Sequence, residues 1–302
     1  MAWILFATIS YFFNAVTAVI DKFLLKKSIP SPAAYTFFVG ILSIFAVILI
    51  PFGVAWPGLI LTIQNLVPGI IFFWAVFFFI AAVKKYEVSR VVTMIGGFAP
   101  IFTLVLSFFI FGEKLSRLHF LAFIILVAGG VLISFKRSGD ESVKHKPVLL
   151  GIGISILAAF AFALYYVSAK FIFSTDQPFL SAFFWSRMGS FITAIFILII
   201  PFWRHLIFET RQTVSVKGGA LFAGNKVLAA VAFILLNYSI KLGDVALINA
   251  IQGVQYAFLL GLVILLAKKY PNILEEKFTR PIIAQKIFAI IFISFGLALL
   301  YF

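Results

Sequence analysis

The sequence predicts an all-α polytopic membrane protein with ten transmembrane helices. Of its 302 residues, 64% are hydrophobic and 11% are charged, and the mean hydropathy is +1.17. That apolar fraction exceeds what the core of a soluble domain can bury. The apolar runs are about 20 residues long, which is the length of a membrane-crossing helix. The ten-residue polar alternation typical of a membrane β-barrel is absent from the sequence.

Short charged or Pro- and Gly-containing breaks separate ten apolar spans. The spans cover residues 3–20, 33–55, 66–83, 91–112, 118–135, 148–169, 179–203, 219–240, 245–267 and 282–302. No basic segment precedes the first span and no clear small-residue cleavage site follows it. We therefore interpret it as a retained helix rather than a cleaved signal peptide.

A charged motif occurs twice and indicates an internal duplication. Glu113-Lys114 is followed by an apolar residue, a hydroxyl residue and Arg, and Glu276-Lys277 begins the same string near the C-terminus. Between the copies, the polar segment 138–147 reads as a cytoplasmic linker. The sequence thus predicts one five-helix repeat over residues 1–137 and another over residues 148–302. Because five is odd, the repeats are inverted, an arrangement that builds a transport site at the repeat interface.

The distribution of Lys and Arg predicts the orientation in the membrane. Seventeen of them lie in the loops after the odd-numbered spans, and four lie in the loops after the even-numbered spans. Cytoplasmic loops carry the excess of basic residues. The positive charge distribution therefore predicts a multi-pass protein of the cell membrane with both termini outside.

Over essentially its whole length the chain resembles the ten-helix EamA-type members of the drug/metabolite transporter superfamily. The resemblance rests on Pro100, the Gly112-Glu113 pair, Ser116 and Gly130, and it is weaker in the second half, which has Ala257 near the place of Pro100. It implies a carrier of small metabolites, often an exporter, with its substrate between the halves. Members often have cytoplasmic termini, so the charge distribution indicates either an inverted protein or a miscounted span.

Two basic residues inside predicted spans are the first candidates for substrate binding. Arg187 and Lys226 each lie about eight residues from the start of their span. A charge at that depth costs on the order of 2.5–3.5 kcal/mol, so it usually faces a wet cavity or a partner. The alternative is snorkelling to the interface. Members of the family often carry an Arg in the helix of Arg187, and Trp185 adjoins it as a possible cavity wall.

The acidic residues support an anionic substrate by their positions. All ten lie at span ends or in loops, and Asn14 is found at mid-depth in the first span. A proton-coupled exporter of organic cations would need a buried carboxylate. We therefore expect an anionic or zwitterionic substrate.

Further polar residues gather in the eighth and ninth spans. They are Asn225, Asn237, Asn249, Gln252 and Gln255. Regular helical spacing would place Asn249, Gln252 and Gln255 on one face. Such a face either binds the substrate or joins two helices at about 0.6 kcal/mol per hydrogen bond.

Pro100, with Gly96 and Gly97 before it, predicts a kinked or loosened fourth span. In a transporter this would be a gating element, and the alternative is close packing of two helices at the glycines.

Other classes of function fit the sequence less well. The protein is not expected to be an enzyme, since no zinc-protease or nucleophile-elbow motif occurs and no acid lies inside a span. Basic residues are scattered rather than gathered in a patch, so nucleic acid is not an expected partner. With no cysteine and no nucleotide-binding motif, no cofactor or metal is expected. A lipid-handling or non-transporting protein of the same fold remains the alternative, and no motif reveals the substrate or the oligomeric state.

Overall fold

A computed structural model gives the fold of the protein. It describes residues 2–24, 31–85, 88–112, 114–134, 148–208, 216–267 and 280–300, and every regular element among them is a helix. The predicted linker 138–147, the chain ends and the motif residues Glu113, Glu276 and Lys277 lie outside these ranges. By their contacts the helices fall into two compact units, each formed from both halves of the sequence.

The first unit contains six helices. They are α1 (Ala2–Leu24), α5 (Arg117–Ser134), α9 (Val216–Leu242), α10 (Val245–Ala250), α11 (Gly253–Ala267) and α12 (Arg280–Leu299). The second unit contains α2 (Pro32–Leu42), a 3₁₀ helix (Ser43–Phe52), α3 (Leu59–Lys85), α4 (Val88–Phe111), α6 (Val148–Phe173), α7 (Phe179–Ile197) and α8 (Pro201–Phe208).

The helices bear out a polytopic membrane protein. Within the described ranges, eight stretches are long and apolar enough to cross a membrane. One of them joins α2 to the 3₁₀ helix, and another joins α10 to α11. Two shorter apolar helices, Arg117–Leu132 and Ala284–Leu299, overlap the fifth and tenth predicted spans. The exact number of spans and the five-plus-five repeat stay predictions.

In the second unit, α3 is the central helix and packs against α2, α6 and α7. Its crossing with α7 is close because small residues meet there. An added Cβ at Gly69 would overlap the Ser186 carbonyl oxygen, and one at Gly189 would overlap the Leu66 carbonyl oxygen. The Ser190 hydroxyl donates to the Gly69 carbonyl at 2.7 Å. Small residues that bring backbones together are how helices associate in lipid, where no hydrophobic force drives them.

In the first unit, α1 packs against α9 and α11, and α5 packs against α12 and α11. Glycines again allow neighbouring helices to approach closely. An added Cβ at Gly253 would lie 2.9 Å from the Gly130 Cα, and one at Gly296 would lie 2.7 Å from the Leu126 side chain. Hydroxyls of α1 and α9 reinforce their contact: Ser10 donates to the Ala232 carbonyl at 2.7 Å, and Ser239 donates to the Trp3 carbonyl at 2.8 Å.

The ninth predicted span is interrupted. Regular helix ends at Ala250 and resumes at Gly253, and the Gln252 N–H donates to the Asn249 carbonyl, three residues back, at 3.1 Å. The Ile248 carbonyl, four residues back, accepts the Tyr11 hydroxyl at 2.9 Å instead. A backbone break inside a membrane must have such a replacement partner, because lipid offers none.

Candidate functional site

Arg187 is at the middle of a membrane span. It lies eight residues past the start of the 19-residue helix α7, about 12 Å along the axis from its first residue and about 15 Å from its last. Its side chain is half-buried. Neither end of α7 is adjacent, so the guanidinium would need to extend far along the helix to reach the interface. In the structure, as in the sequence, Arg187 therefore lies deep within its span.

The first contact of Arg187 is the hydroxyl of Ser43, which lies where a helix changes type. The guanidinium NH2 group donates a hydrogen bond to the Ser43 Oγ. Ser43 is buried near the middle of the apolar stretch Pro32–Phe52, where α2 passes into the 3₁₀ helix. Its own hydroxyl donates to the Val39 carbonyl at 3.3 Å. A 3₁₀ segment within a helix often marks a functional hinge or a sequence under strain, and here the residue at the change of helix type contacts the cation.

Aromatic rings provide the second contact of Arg187. Its Cζ lies 4.9 Å from the centre of the Phe72 ring, at the midpoint of α3. The Phe72 ring in turn packs 5.0 Å from the ring of Tyr165 on α6, a fully buried residue. A guanidinium over a ring face gains about 0.5–2 kcal/mol, depending on how dry the site is. Three helices and the 3₁₀ junction thus contribute to one cluster around Arg187.

Residues of α3 fix the position of α7 and of the α6–α7 loop around this cluster. Asn65, Gly69 and Phe72 follow the i, i+4, i+7 spacing of one helix face. Gly69 forms the crossing with α7, which holds Ser186 next to the backbone of α3. Asn65 and Gln177 exchange two amide hydrogen bonds of 2.9 and 3.0 Å, which attach the α6–α7 loop to α3. Residues one and two turns before Phe72 on α3 therefore hold α7 and the loop before it in place.

The cluster lies among helices that carry no acidic residue. None of α2, α3, α4, α6 and α7 contains Asp or Glu in its sequence. The two side chains described in contact with Arg187, Ser43 and Phe72, are both uncharged. Arg187 therefore brings a positive charge among helices whose sequences supply no carboxylate.

Trp185 lies on the same helix but outside the immediate contacts of Arg187. Its ring packs edge-on against Trp56, with ring centres 5.2 Å apart, and its buried indole N–H has no hydrogen-bond partner in the described part of the chain. Residues two apart on a helix do not face each other. Trp185 and Arg187 thus leave α7 in different directions, and the structure gives Trp185 a separate aromatic contact.

The other predicted binding residues belong to the first unit. Asn225 is buried on α9 and its Nδ2 donates to the Thr17 carbonyl of α1 at 3.4 Å, while Asn14 is half-buried one turn before Thr17. This contact joins α1 to α9, as helix-joining amides do. In the interrupted span, Asn249 is fully buried, and Gln252 and Gln255 are half-buried. The break after Ala250 interrupts the regular spacing on which their common face was predicted.

Two further cations lie on helices of the first unit. Lys226 is half-buried on α9, ten residues past its start. Lys286, on α12, is also half-buried within an apolar run. It is also a basic residue inside a predicted span, but it lies only six residues past the start of α12, nearer the helix end than Arg187 and Lys226.

The predicted gating residues lie on a regular helix. Residues 88–111 form one α-helix through Pro100, and Gly96 and Gly97 are half-buried. Val91, Ile95 and Ala99 pack into a core with Ala82 of α3 and Ala158 of α6. Lys114 of the repeated motif is exposed in the α4–α5 connection, next to Gly112 with its positive φ of 66°.

Ser43, Phe72 and Tyr165 are missing from the sequence-based site. Each is a common residue type for an apolar span, and only the packing of α2, α3 and α6 on α7 brings it to Arg187. A weak signal existed for Asn65, which with Gln64 forms a pair of amides just before the apolar run 66–83.

The described helices are those of a polytopic membrane protein. Residues 1–135 match the EamA-like transporter family, which is part of the drug/metabolite transporter superfamily. That match, over the first 135 of 302 residues, confirms the resemblance recognised from Pro100, Gly112-Glu113 and Gly130. It supports a multi-pass membrane protein related to transporters of small molecules. The family is one of transporters rather than of enzymes.

A solved structure shares the fold of this chain. That structure, described only as the crystal structure of a protein, has a TM-score of 0.65 to this chain at 18% sequence identity. The match covers 98% of this chain and 93% of that one. At this identity the likeness shows a shared fold and no more. No curated protein matches the sequence significantly.

Proposed function

We propose that the protein is a secondary carrier that binds the anionic group of a small metabolite at Arg187. The observation that carries the proposal is a guanidinium at mid-span, beside the Ser43 hydroxyl and the Phe72 ring, among helices whose sequences contain no Asp or Glu. Such contacts stabilise a membrane-buried charge less than an anion does. A carboxylate or phosphate entering the site would therefore gain from the charge that the fold has already buried.

The chemistry of the side chain favours these two groups. A guanidinium has five N–H donors in a planar fork that matches two oxygens of a carboxylate or phosphate. The Phe72 and Tyr165 rings supply an apolar wall beside it. Because the helices of this unit contain no acid, the site has no obvious group for an organic cation. Anionic substrates are thus favoured over zwitterionic ones, and zwitterions over cations.

The transport cycle proposed for this site is alternating access between two inverted five-helix repeats, residues 1–137 and 148–302. Inverted repeats supply two related conformations, and helix interruptions near mid-membrane supply the moving parts. Two features support this mechanism, the change of helix type at Ser43 and the interrupted helix at Ile251 and Gln252. Gly96, Gly97 and Pro100 remain proposed gating residues. Lys226, with Asn14, Asn225, Asn249, Gln252 and Gln255, is proposed as a secondary polar set.

The orientation and location of the carrier follow from the charges of its loops. We propose a cell-membrane protein with both termini outside and the linker 138–147 in the cytoplasm. A reporter that is active only in the cytosol, fused after Phe302, is expected to be inactive. Activity of that fusion would contradict this orientation.

A ligand screen on purified protein tests the binding proposal. Carboxylates, phosphates, amino acids and nucleotide sugars are added singly, and the melting temperature is recorded for the wild type and for Arg187→Gln. We expect at least one anion to stabilise the wild type and to have a much smaller effect on Arg187→Gln. Arg117→Gln, an exposed arginine at the start of α5, is the charge-matched control and should respond as the wild type does.

Two outcomes would contradict the proposal. Equal stabilisation of the wild type and Arg187→Gln by every anion would remove Arg187 from the site. Absence of any response to anions, combined with lipid scrambling by the reconstituted protein, would favour the lipid-handling alternative.

A further inference from the structure

The short helix α8 has two different faces. Trp203, Leu206 and Ile207 pack inward against a core of Ala33 and Phe37 of α2, Phe73 of α3, and Ala194 and Ile197 of α7. Pro201, Arg204, His205 and Phe208 follow the i, i+3, i+4, i+7 spacing of a single face, and all four are exposed. The helix thus presents two basic side chains outward while its apolar face is attached to the bundle.

Two sets of contacts fix this orientation. The Ser31 hydroxyl donates to the Leu206 carbonyl at 2.9 Å and also accepts the Ala34 N–H at 3.1 Å as the N-cap of α2. Trp203 packs 5.9 Å from the Trp74 ring and 5.0 Å from the Phe77 ring, measured between ring centres. The outward face of α8 is therefore held in place by the second unit rather than free to rotate.

The outward face contains a depression with both polar and apolar walls. It has a volume of about 420 Å³ and is lined by Pro201, Arg204, His205 and Phe208. Phe202 and Phe208 are 68% and 65% exposed at the two ends of the helix. Rings on both sides of a basic pair match a molecule that has an anionic centre and an apolar body.

The position of α8 next to a membrane-spanning helix indicates that its outward face lies at the membrane interface. The helix begins four residues after α7 ends, and α7 is long and apolar enough to cross the membrane. A tryptophan at that place is typical of the interfacial aromatic belt. Residues 201–212 contain two arginines and one acid, so the segment is net basic. Amphipathic helices can lie in the interface, and each basic residue near its surface adds to the attraction of anionic lipid.

We propose that the outward face of α8 binds an anionic phospholipid. Arg204 and His205 contact the headgroup phosphate, and Phe202 and Phe208 lie against the first acyl carbons. The occupant is a lipid rather than a free phosphate, because a free phosphate has no part to cover the two exposed rings. This site is separate from the Arg187 cluster and does not depend on the transport proposal.

Native mass spectrometry of the purified protein with defined lipids tests the proposal. Phosphatidylglycerol is the probe and phosphatidylcholine the zwitterionic comparison. We expect the wild type to retain phosphatidylglycerol preferentially, and Arg204→Gln/His205→Gln to retain it about fivefold less, since one basic residue near a lipid surface contributes about that factor. Arg117→Gln/His119→Gln removes the same residue types from the start of α5 and should retain lipid as the wild type does.

Arg204→Lys keeps the charge and should retain most of the binding, which separates a lost ion contact from a disturbed helix. Equal retention by the wild type and Arg204→Gln/His205→Gln would overturn the proposal. Equal losses in both double variants would show nonspecific attraction to the whole protein and would also overturn it. Inorganic phosphate that displaces phosphatidylglycerol at millimolar concentration would overturn the choice of a lipid.

Discussion

The Arg187 guanidinium donates a hydrogen bond to the Ser43 hydroxyl, which is 144 positions earlier in the sequence. Both residues lie at mid-length of an apolar span, and Ser43 is where its span changes from α-helix to 3₁₀ helix. A basic side chain and a backbone irregularity thus meet inside the membrane-spanning part of one unit. The packing of α2 and of the 3₁₀ helix on α7 brings the two residues together.

The α3–α7 crossing should not tolerate a larger side chain at its glycines. Gly69→Ala and Gly189→Ala would each place a Cβ against a backbone carbonyl oxygen, which cannot move as a side chain can. Overpacking of this kind typically costs about 1–3 kcal/mol. We expect each variant to lower the melting temperature in detergent by several degrees. The separation of α3 and α7 would also weaken anion binding at Arg187.

The control for this prediction is Gly153→Ala on α6. Nothing lies within 4 Å of a Cβ added there, so the substitution should be neutral or slightly stabilising, by up to about 1 kcal/mol. Wild-type stability in Gly69→Ala and Gly189→Ala would show that the two helices do not approach this closely.

Asn65 and Gln177 should depend on each other for stability. Asn65 is fully buried, and the two side-chain amides exchange both hydrogen bonds. Removing either amide leaves the other with a lost partner, so the second removal costs less than the first. In a double-mutant cycle of Asn65→Ala and Gln177→Ala we expect a coupling free energy of about 1 kcal/mol. Strictly additive effects on the free energy of unfolding would contradict the pairing.

Hydropathy was sufficient to place the apolar segments, because a bilayer imposes the same length on every spanning helix. It does not reveal where the helix inside a span is interrupted. The ninth span reads as continuous from residues 245–267, yet Tyr11 supplies a hydroxyl to the Ile248 carbonyl and the helix stops after Ala250. That interruption depends on a residue about 240 positions away, which no local pattern reports.

The residues of the Arg187 cluster likewise fall into those that the sequence could predict and those that it could not. Arg187 was recognisable alone, because a charge in an apolar run is costly wherever the helix packs. Ser43, Phe72 and Tyr165 were not recognisable, since hydroxyl and aromatic residues are tolerated throughout membrane helices. Their roles come from which helices meet, and that depends on small residues such as Gly69 and Gly189.

The interrupted helix should loosen without its hydroxyl partner. Tyr11→Phe keeps the ring but removes the group that donates to the Ile248 carbonyl at 2.9 Å. A hydrogen bond between membrane helices contributes about 0.6 kcal/mol on average. We expect amide hydrogen exchange of residues 245–255 to become a few times faster, with little change in α12. Unchanged exchange in residues 245–255 would show that Tyr11 does not hold the interruption.

The central claim is that Arg187 binds the anionic group of the substrate. The most direct test is the concentration dependence of anion counterflow in proteoliposomes, with the anion that most stabilises the wild type in the ligand screen. Folded Arg187→Gln should need at least about tenfold more anion for half-maximal exchange, since a charge-assisted hydrogen bond contributes about 1.5–3 kcal/mol. Arg187→Lys, without the planar fork, should be intermediate, and Arg117→Gln should match the wild type. Wild-type affinity in both Arg187→Gln and Lys226→Gln would contradict the account.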